Sequence, residues 1–126
     1  MAKKVFTYRG KTLEELQAMS LAELSKILGS AARRKMARGF TDAEKAFLKK
    51  VAVKDGVKTH CRDMFILPSM VGKLIKVSKG NMFDDLRVTQ EMIGHRLGEF
   101  SQTRKKVQHG AMGLGASRSS ANADRK

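Results

Sequence analysis

Three Ser/Thr-x-x-Glu capping boxes lie within the first 44 residues of this 126-residue chain: Thr12 with Glu15, Ser20 with Glu23, and Thr41 with Glu44. In each, the hydroxyl accepts from the backbone N–H three residues on, and the glutamate accepts from the N–H of the cap itself. Helix starts are therefore dictated at about residues 13, 21 and 42, which leaves room for about two turns in each of the first two helices. Leu21, Leu24 and Leu28 form one apolar stripe on the second, which should stop at Gly29 with a left-handed cap. Ser30 can then cap a further short helix through Arg38, closed by Gly39. The last helix places Ala43, Ala46, Phe47, Lys50 and Val51 at the helical period and ends before Asp55-Gly56. Helices shorter than about 12–15 residues are marginal alone in water, so these must pack on another part of the chain.

From Lys58 the period changes to two, with Lys58, His60 and Arg62 on one side and Thr59, Cys61 and Phe65 mostly on the other. One strand face is thus basic. Pro68 breaks the run and opens a short turn or helix at Ser69 to Val71. Lys73 to Ser78 reads as a second strand, Gly80-Asn81 as a tight hairpin, and Met82 to Val88 as a third strand. Thr89 is placed to cap a short helix whose Met92 and Ile93 cover one sheet face. The fold class is α+β: short N-terminal helices, a small three-stranded and mostly antiparallel sheet with a short helix, and an extended basic C-terminal tail.

Charge divides the chain along the same lines. Residues 1–56, a basic helical part, carry 13 basic and 6 acidic residues; residues 57–100, a compact α+β core, carry 7 and 5; residues 101–126 carry 6 and 1. After Phe100 apolar periodicity is lost, and such a segment cannot bury enough surface to fold alone. It reads as a flexible basic tail. The formal charge of +14 and the pI near 10.4 point to a polyanionic partner, nucleic acid or an acidic membrane. No apolar run approaches the ~20 residues that span a bilayer, and Met1-Ala2-Lys3-Lys4 leads into no signal-peptide apolar region, so a cytoplasmic protein with no membrane partner is indicated. One cysteine, Cys61, and three scattered histidines make neither a disulfide nor a four-ligand zinc set, and no metal or other cofactor is implied.

Catalysis has two candidate constellations, His95 with Glu99 and His60 with Cys61 and Asp63. Neither has a nucleophile and base on one face, a metal set or a phosphate loop between strand and helix, so no catalytic residue is assigned. Residues 20–53 could be read as a DNA-binding helix-turn-helix, but a recognition helix ending in Phe47-Leu48-Lys49-Lys50 offers few groups for base edges. RNA suits the layout of basic arms around a packed middle better. Arg33, Arg34, Lys35 and Arg38 crowd one short helix, where Arg34 and Arg38 repel each other at i,i+4 unless phosphates intervene; one or two such residues would suffice to complement a helix C-terminus. Lys58, His60, Arg62 and Lys73 belong to the basic sheet region. Gly94 and Gly98 bracket His95-Arg96-Leu97, either as ordinary turn residues or as points of close backbone approach. Arg104, Lys105, Lys106, His109 and Arg118 are the tail's candidate contacts.

Two long strings carry a resemblance to a known family: Lys58-Thr-His-Cys-Arg-Asp-Met-Phe-Ile-Leu-Pro-Ser-Met-Val-Gly72 and Glu91-Met-Ile-Gly-His-Arg-Leu-Gly-Glu-Phe100. In this order and at this separation they resemble the universal small-subunit ribosomal protein nineteen. Phe6-Thr-Tyr-Arg-Gly10, Met19-Ser20 and Arg33-Arg34 are similar to the archaeal and eukaryotic branch, whose eukaryotic members carry the number fifteen. The resemblance covers roughly residues 5 to 120. It implies a structural constituent of the small ribosomal subunit bound to the 16S-type ribosomal RNA of the head, with the segment Gly94 to Phe100 beside RNA. It also implies contact with small-subunit ribosomal protein thirteen, with large-subunit bridge elements, and, through the tail, with transfer RNA in the decoding region. Met112 stands where that family usually has proline, and Ala121 to Lys126 departs from its terminus, so the resemblance assigns the decoding contact to residues 104 to 118.

Overall fold

A computed structural model describes residues 5–108. Four helices come first: α1, Leu13–Ala18; α2, Leu21–Ile27; α3, Ser30–Arg38; and α4, Asp42–Val53. All three capping boxes form as read, with Thr12, Ser20 and Thr41 each accepting from the N3 backbone and each glutamate returning to the cap N–H. The short strand β1, Val57–Thr59, then pairs in parallel with β2, Leu74–Ser78, which pairs antiparallel with β3, Phe83–Arg87. The sheet is mixed, in the order β1-β2-β3, and its antiparallel ladder is the longer of the two. Lys79 N–H donates to the Met82 carbonyl across the hairpin, where Gly80 alone of the two central residues has positive φ, the pattern of a type II′ turn.

Two apolar clusters hold these elements. The larger joins Phe47 and Val51 of α4 to Ile75, Val77 and Leu86 of the sheet and to Met64, Ile66, Leu67, Met70, Val88 and Leu97. The smaller joins Leu16, Leu24, Leu28 and Ala32 of α1–α3 to Phe65 and Ile93. Along Met64-Phe65-Ile66 successive side chains enter different clusters, because side chains alternate across extended backbone; the alternation ends at Leu67, which joins Ile66 in the larger one. Each fully buried aliphatic side chain stabilises by about 1.5–3 kcal/mol, whereas a capping interaction contributes about 1 kcal/mol. Caps set where α1 and α2 begin; burial keeps them helical.

Several local expectations are corrected. Gly29 is not a left-handed cap: α2 ends at Ile27 with Leu28 as its C-cap, whose extended backbone carries its side chain into the helical cluster, and Gly29 (φ −59°) serves as the N-cap of α3 without a side-chain bond. Ser30 is the first residue of that helix rather than its cap. Leu21 is 50% exposed, so only Leu24 and Leu28 of the proposed stripe are buried. On α4 the inward face is Glu44, Phe47, Leu48 and Val51, with Ala43, Ala46 and Lys50 outside, because the sheet lies under Phe47 and Val51. The strand beginning near Lys58 stops at Thr59, and Arg62 N–H turns back to the His60 carbonyl at 2.8 Å, which ends the alternation. The expected helix after Thr89 is a single 3₁₀ turn, Gln90–Met92; Met92 packs on the sheet cluster, but Ile93 faces the N-terminal helices.

Among the described residues Glu44 is the one buried acidic side chain, and Lys35 Nζ reaches its Oε1 at 2.8 Å, clamping α3 to α4. Burial pushes the Glu44 carboxyl upward, but hydrogen bonds from Lys35 and from Thr41 outweigh it and hold it below the usual value of 4.5. A depressed folded-state value stabilises the fold above 4.5, and that contribution is lost as pH falls through the folded value. Lys35→Met should therefore cost about 1.5–3 kcal/mol at pH 7. In urea titrations the gap from the native protein should close as the pH is taken well below 4.5; a gap independent of pH would exclude Glu44 as the source.

Candidate nucleic-acid interface

Arg33, Arg34 and Arg38 are exposed on α3, and none makes an ion pair or side-chain hydrogen bond among the described residues. Lys35 is different, being committed to Glu44. Beside α3 runs the Asp63–Arg96 corner, where the Arg96 guanidinium lies 5.1 Å from the Phe65 ring centroid and bonds Asp63 Oδ1 at 3.2 Å. Arg34, Lys35, Arg38, Arg96, Asp63 and Phe65, with Ala31, line a concavity of about 310 Å³. Cationic side chains dominate it, and the solvent-facing ones on α3 have no internal anion to satisfy them. Asp63 and Phe65 were not singled out for this region from sequence, since only the pairing of residues 62–66 with 94–98 brings them to α3.

That pairing is a run of backbone hydrogen bonds: Ile66 N–H to His95 O at 2.8 Å, Gly94 N–H to Ile66 O at 3.1 Å, Leu97 N–H to Met64 O at 3.0 Å and Gly98 N–H to Arg62 O at 2.9 Å. It explains both glycines. Gly94 has φ of +83°, and a Cβ there would lie 2.9 Å from the Tyr8 hydroxyl and 3.3 Å from Leu28. A Cβ at Gly98 would lie 3.1 Å from both the Cβ and the carbonyl oxygen of Arg62. The close approach read from spacing is made to the protein's own chain. Tyr8 is delivered by a tight turn, Tyr8 to Lys11, whose central Arg9 and Gly10 both have positive φ. The motif Tyr-Arg-Gly-Lys was the available signal for that turn. His95 is exposed and bonds Glu99 Oε2 through Nδ1 at 2.7 Å; burial raises the Glu99 carboxyl, yet the bonds from His95 and from Arg96 N–H leave it lowered.

Two candidates turn inward. Arg62 is half-buried, and its guanidinium donates to the carbonyls of Ser78, of Gly98 at 2.9 Å and of Ser101 at 2.5 Å, tying the hairpin to the root of the tail. Ser101 is further held by its hydroxyl bond to Asp84, which also pairs with Lys79. Lys73 Nζ donates to the carbonyls of Val51 at 2.5 Å and Ala52 at 3.3 Å, serving the unpaired end of α4. Lys58 and His60 are exposed and flank Phe83, the lysine 5.4 Å from its ring centroid and the imidazole edge-on at 5.2 Å. Arg104, Lys105 and Lys106 are exposed and outside any helix or strand, while His109 and Arg118 lie outside the described residues.

Among the described residues there is no cluster of three potential metal ligands, and no helix is long and apolar enough to cross a membrane. Taken together, the features define a basic α+β protein that exposes many cations, several of them without an acidic partner among the described residues. The sequence matches the ribosomal protein S19 family over residues 32–109. It is similar to the small ribosomal subunit protein uS19 of Thermoplasma volcanium, 50% identical over 118 residues covering 93% of this chain and 78% of that protein. To the protein of the same name from Methanocorpusculum labreanum it is 49% identical over 115 residues, 91% and 85% of the two chains. The chain belongs to the ribosomal protein S19 family, and it is a ribosomal protein, a structural constituent rather than an enzyme.

Arg62→Lys separates an internal role from an RNA contact. The substitution keeps the charge but loses the fork that reaches three carbonyls, and should cost about 2 kcal/mol, or roughly 10 °C in Tm for a domain of this size. The salt dependence of RNA binding should be unchanged. A variant with native Tm and a shallower salt slope would place Arg62 in the RNA contact instead.

Proposed function

We propose that this protein binds 16S-type ribosomal RNA in the head of the small subunit by neutralising phosphates and matching RNA shape, in cytoplasmic ribosomes. One observation carries the reading: Arg33, Arg34 and Arg38 stand unpaired on α3, two of them beside Arg96 around one concavity, although the same chain pairs Lys35, Lys79 and Arg96 with acids. Isolated like charges on one helix face repel by a few tenths of a kcal/mol, and phosphates relieve that. Arg96 holds Asp63 at a distance typical of a weak surface pair and can exchange it for phosphate with little loss. His95, exposed next to Arg96, is placed to add a hydrogen bond to sugar or phosphate. Gly94 and Gly98 contribute by shaping this corner rather than by touching RNA themselves.

The exposed Arg104, Lys105 and Lys106 extend the basic surface from the root fixed by Arg62, and residues 104–118, including His109 and Arg118, are assigned to transfer RNA in the decoding region. Small-subunit ribosomal protein thirteen and large-subunit bridge elements complete the proposed partners, on the strength of the family resemblance. The test is the triple variant Arg33→Ala, Arg34→Ala, Arg38→Ala. Alanine is the better helix former, so Tm should be preserved. The slope of log K against log salt should fall by about 2–3, since each lost phosphate contact removes about 0.7–0.9, and incorporation into small subunits should drop. In parallel, truncation after Gln102 should leave incorporation near normal but reduce transfer-RNA crosslinks. Normal incorporation and an unchanged slope for the triple variant would contradict the assignment of α3.

A further inference from the structure

Lys49, Lys50 and Lys54 cluster at the C-terminal end of α4 and meet Lys58 of β1 around a second concavity, about 550 Å³, whose only other lining residues are Val53 and Val57. It shares no residue with the concavity beside α3. None of the four lysines makes an ion pair among the described residues, and Asp55, next to Lys54 in sequence, pairs with none of them. Lysines near a helix C-terminus ordinarily serve its unpaired carbonyls and dipole. Here that role is already filled, because Lys73 Nζ sits on the carbonyls of Val51 and Ala52. A lysine on an open edge strand discourages strand pairing, and β1 is such an edge, but one residue suffices for that. Beyond the cation–π contact of Lys58 with Phe83, the remaining positive charge has no internal partner among the described residues, and Lys50 and Lys54, gathered on one concavity, repel each other.

We infer that Lys49, Lys50, Lys54 and Lys58 form a second phosphate-binding groove, which holds an RNA segment distinct from the one at α3, so that the protein bridges two parts of the folded RNA. The inference rests on the RNA reading above. The chemistry favours backbone over bases: the groove is lined by compact ammonium charges and two valines, with no arginine fork or amide to read a base, and the Phe83 ring near Lys58 is already flanked by that lysine and His60. Val53, 81% exposed, packs against ribose once the groove is filled.

Two single-cysteine proteins, in a Cys61→Ser background checked for native Tm, test this by directed hydroxyl-radical cleavage in reconstituted small subunits. Val53→Cys tethers the probe in the groove and Ala31→Cys tethers it at the α3 concavity; both positions are exposed. Cuts from position 53 should map to an RNA segment separate in secondary structure from those cut from position 31. Changing the four lysines to Gln should lower the salt slope by about 3 without changing Tm. Cutting from position 31 alone, or a crosslink from position 53 to a protein in place of RNA cleavage, would overturn the second groove and leave the α3 assignment standing. Cutting of one shared segment by both would overturn the bridge. Cleavage from neither position would overturn the RNA reading itself.

Discussion

The antiparallel pairing of residues 62–66 with residues 94–98 is the constraint on which the rest of the molecule depends. Its four backbone hydrogen bonds join the two segments that make up most of the recognisable sequence signature. Alternation along Met64–Ile66 then sends Met64 and Ile66 into the sheet cluster and Phe65 into the helical one. Neither cluster is complete without this strip of backbone. On the other side of the pairing, the positive φ of Gly94 favours glycine beneath Tyr8, and a Cβ at Gly98 would crowd the backbone and Cβ of Arg62 at 3.1 Å. The corner that presents His95 and Arg96 is therefore a consequence of how the core is closed.

A basic protein has to distribute its cations between holding the fold and holding its partner. Here the division is visible atom by atom. Lys35, Arg62, Lys73 and Lys79 each meet an anion or a set of carbonyls that the fold leaves unsatisfied: the buried Glu44, three carbonyls at the tail root, the end of α4, and Asp84. Among the described residues, Arg33, Arg34 and Arg38, together with Lys49, Lys50, Lys54 and Lys58, meet no anion or set of carbonyls. The first group is stabilising in the free protein. The second group destabilises it slightly by mutual repulsion, and in the proposed function that repulsion is what bound phosphates would relieve.

Local codes were the legible part of the fold. Capping boxes specify helix starts within three residues, and all three formed; the hairpin at Gly80 and the two later strands likewise follow from nearest-neighbour chemistry. Failures came where a distant partner decided the matter. Gly29 lost its left-handed conformation because Leu28 had to reach the core, and the α4 face rotated because the sheet lies under Phe47 and Val51. At the candidate interface, the crowding of cations on α3 was legible in the sequence, and the structure leaves Arg33, Arg34 and Arg38 exposed. Arg62 and Lys73 were grouped with the basic sheet region, since nothing nearby in sequence signals that carbonyls 16–39 and 21–22 residues away need donors. The parallel pairing of β1 was unreadable for the same reason, since it is closed through the long excursion from His60 to Lys73.

The division of the cations is tested most directly by lysine-selective chemical labelling, read residue by residue by mass spectrometry, on the free protein and on the protein within small subunits. Lys35, Lys73 and Lys79 should react slowly in both states, because their ammonium groups are already held by the fold. Lys49, Lys50, Lys54 and Lys58 should react readily in the free protein and become protected in the subunit. Fast labelling of Lys73 and Lys79 in the free protein, or undiminished labelling of the second set in the subunit, would contradict the account.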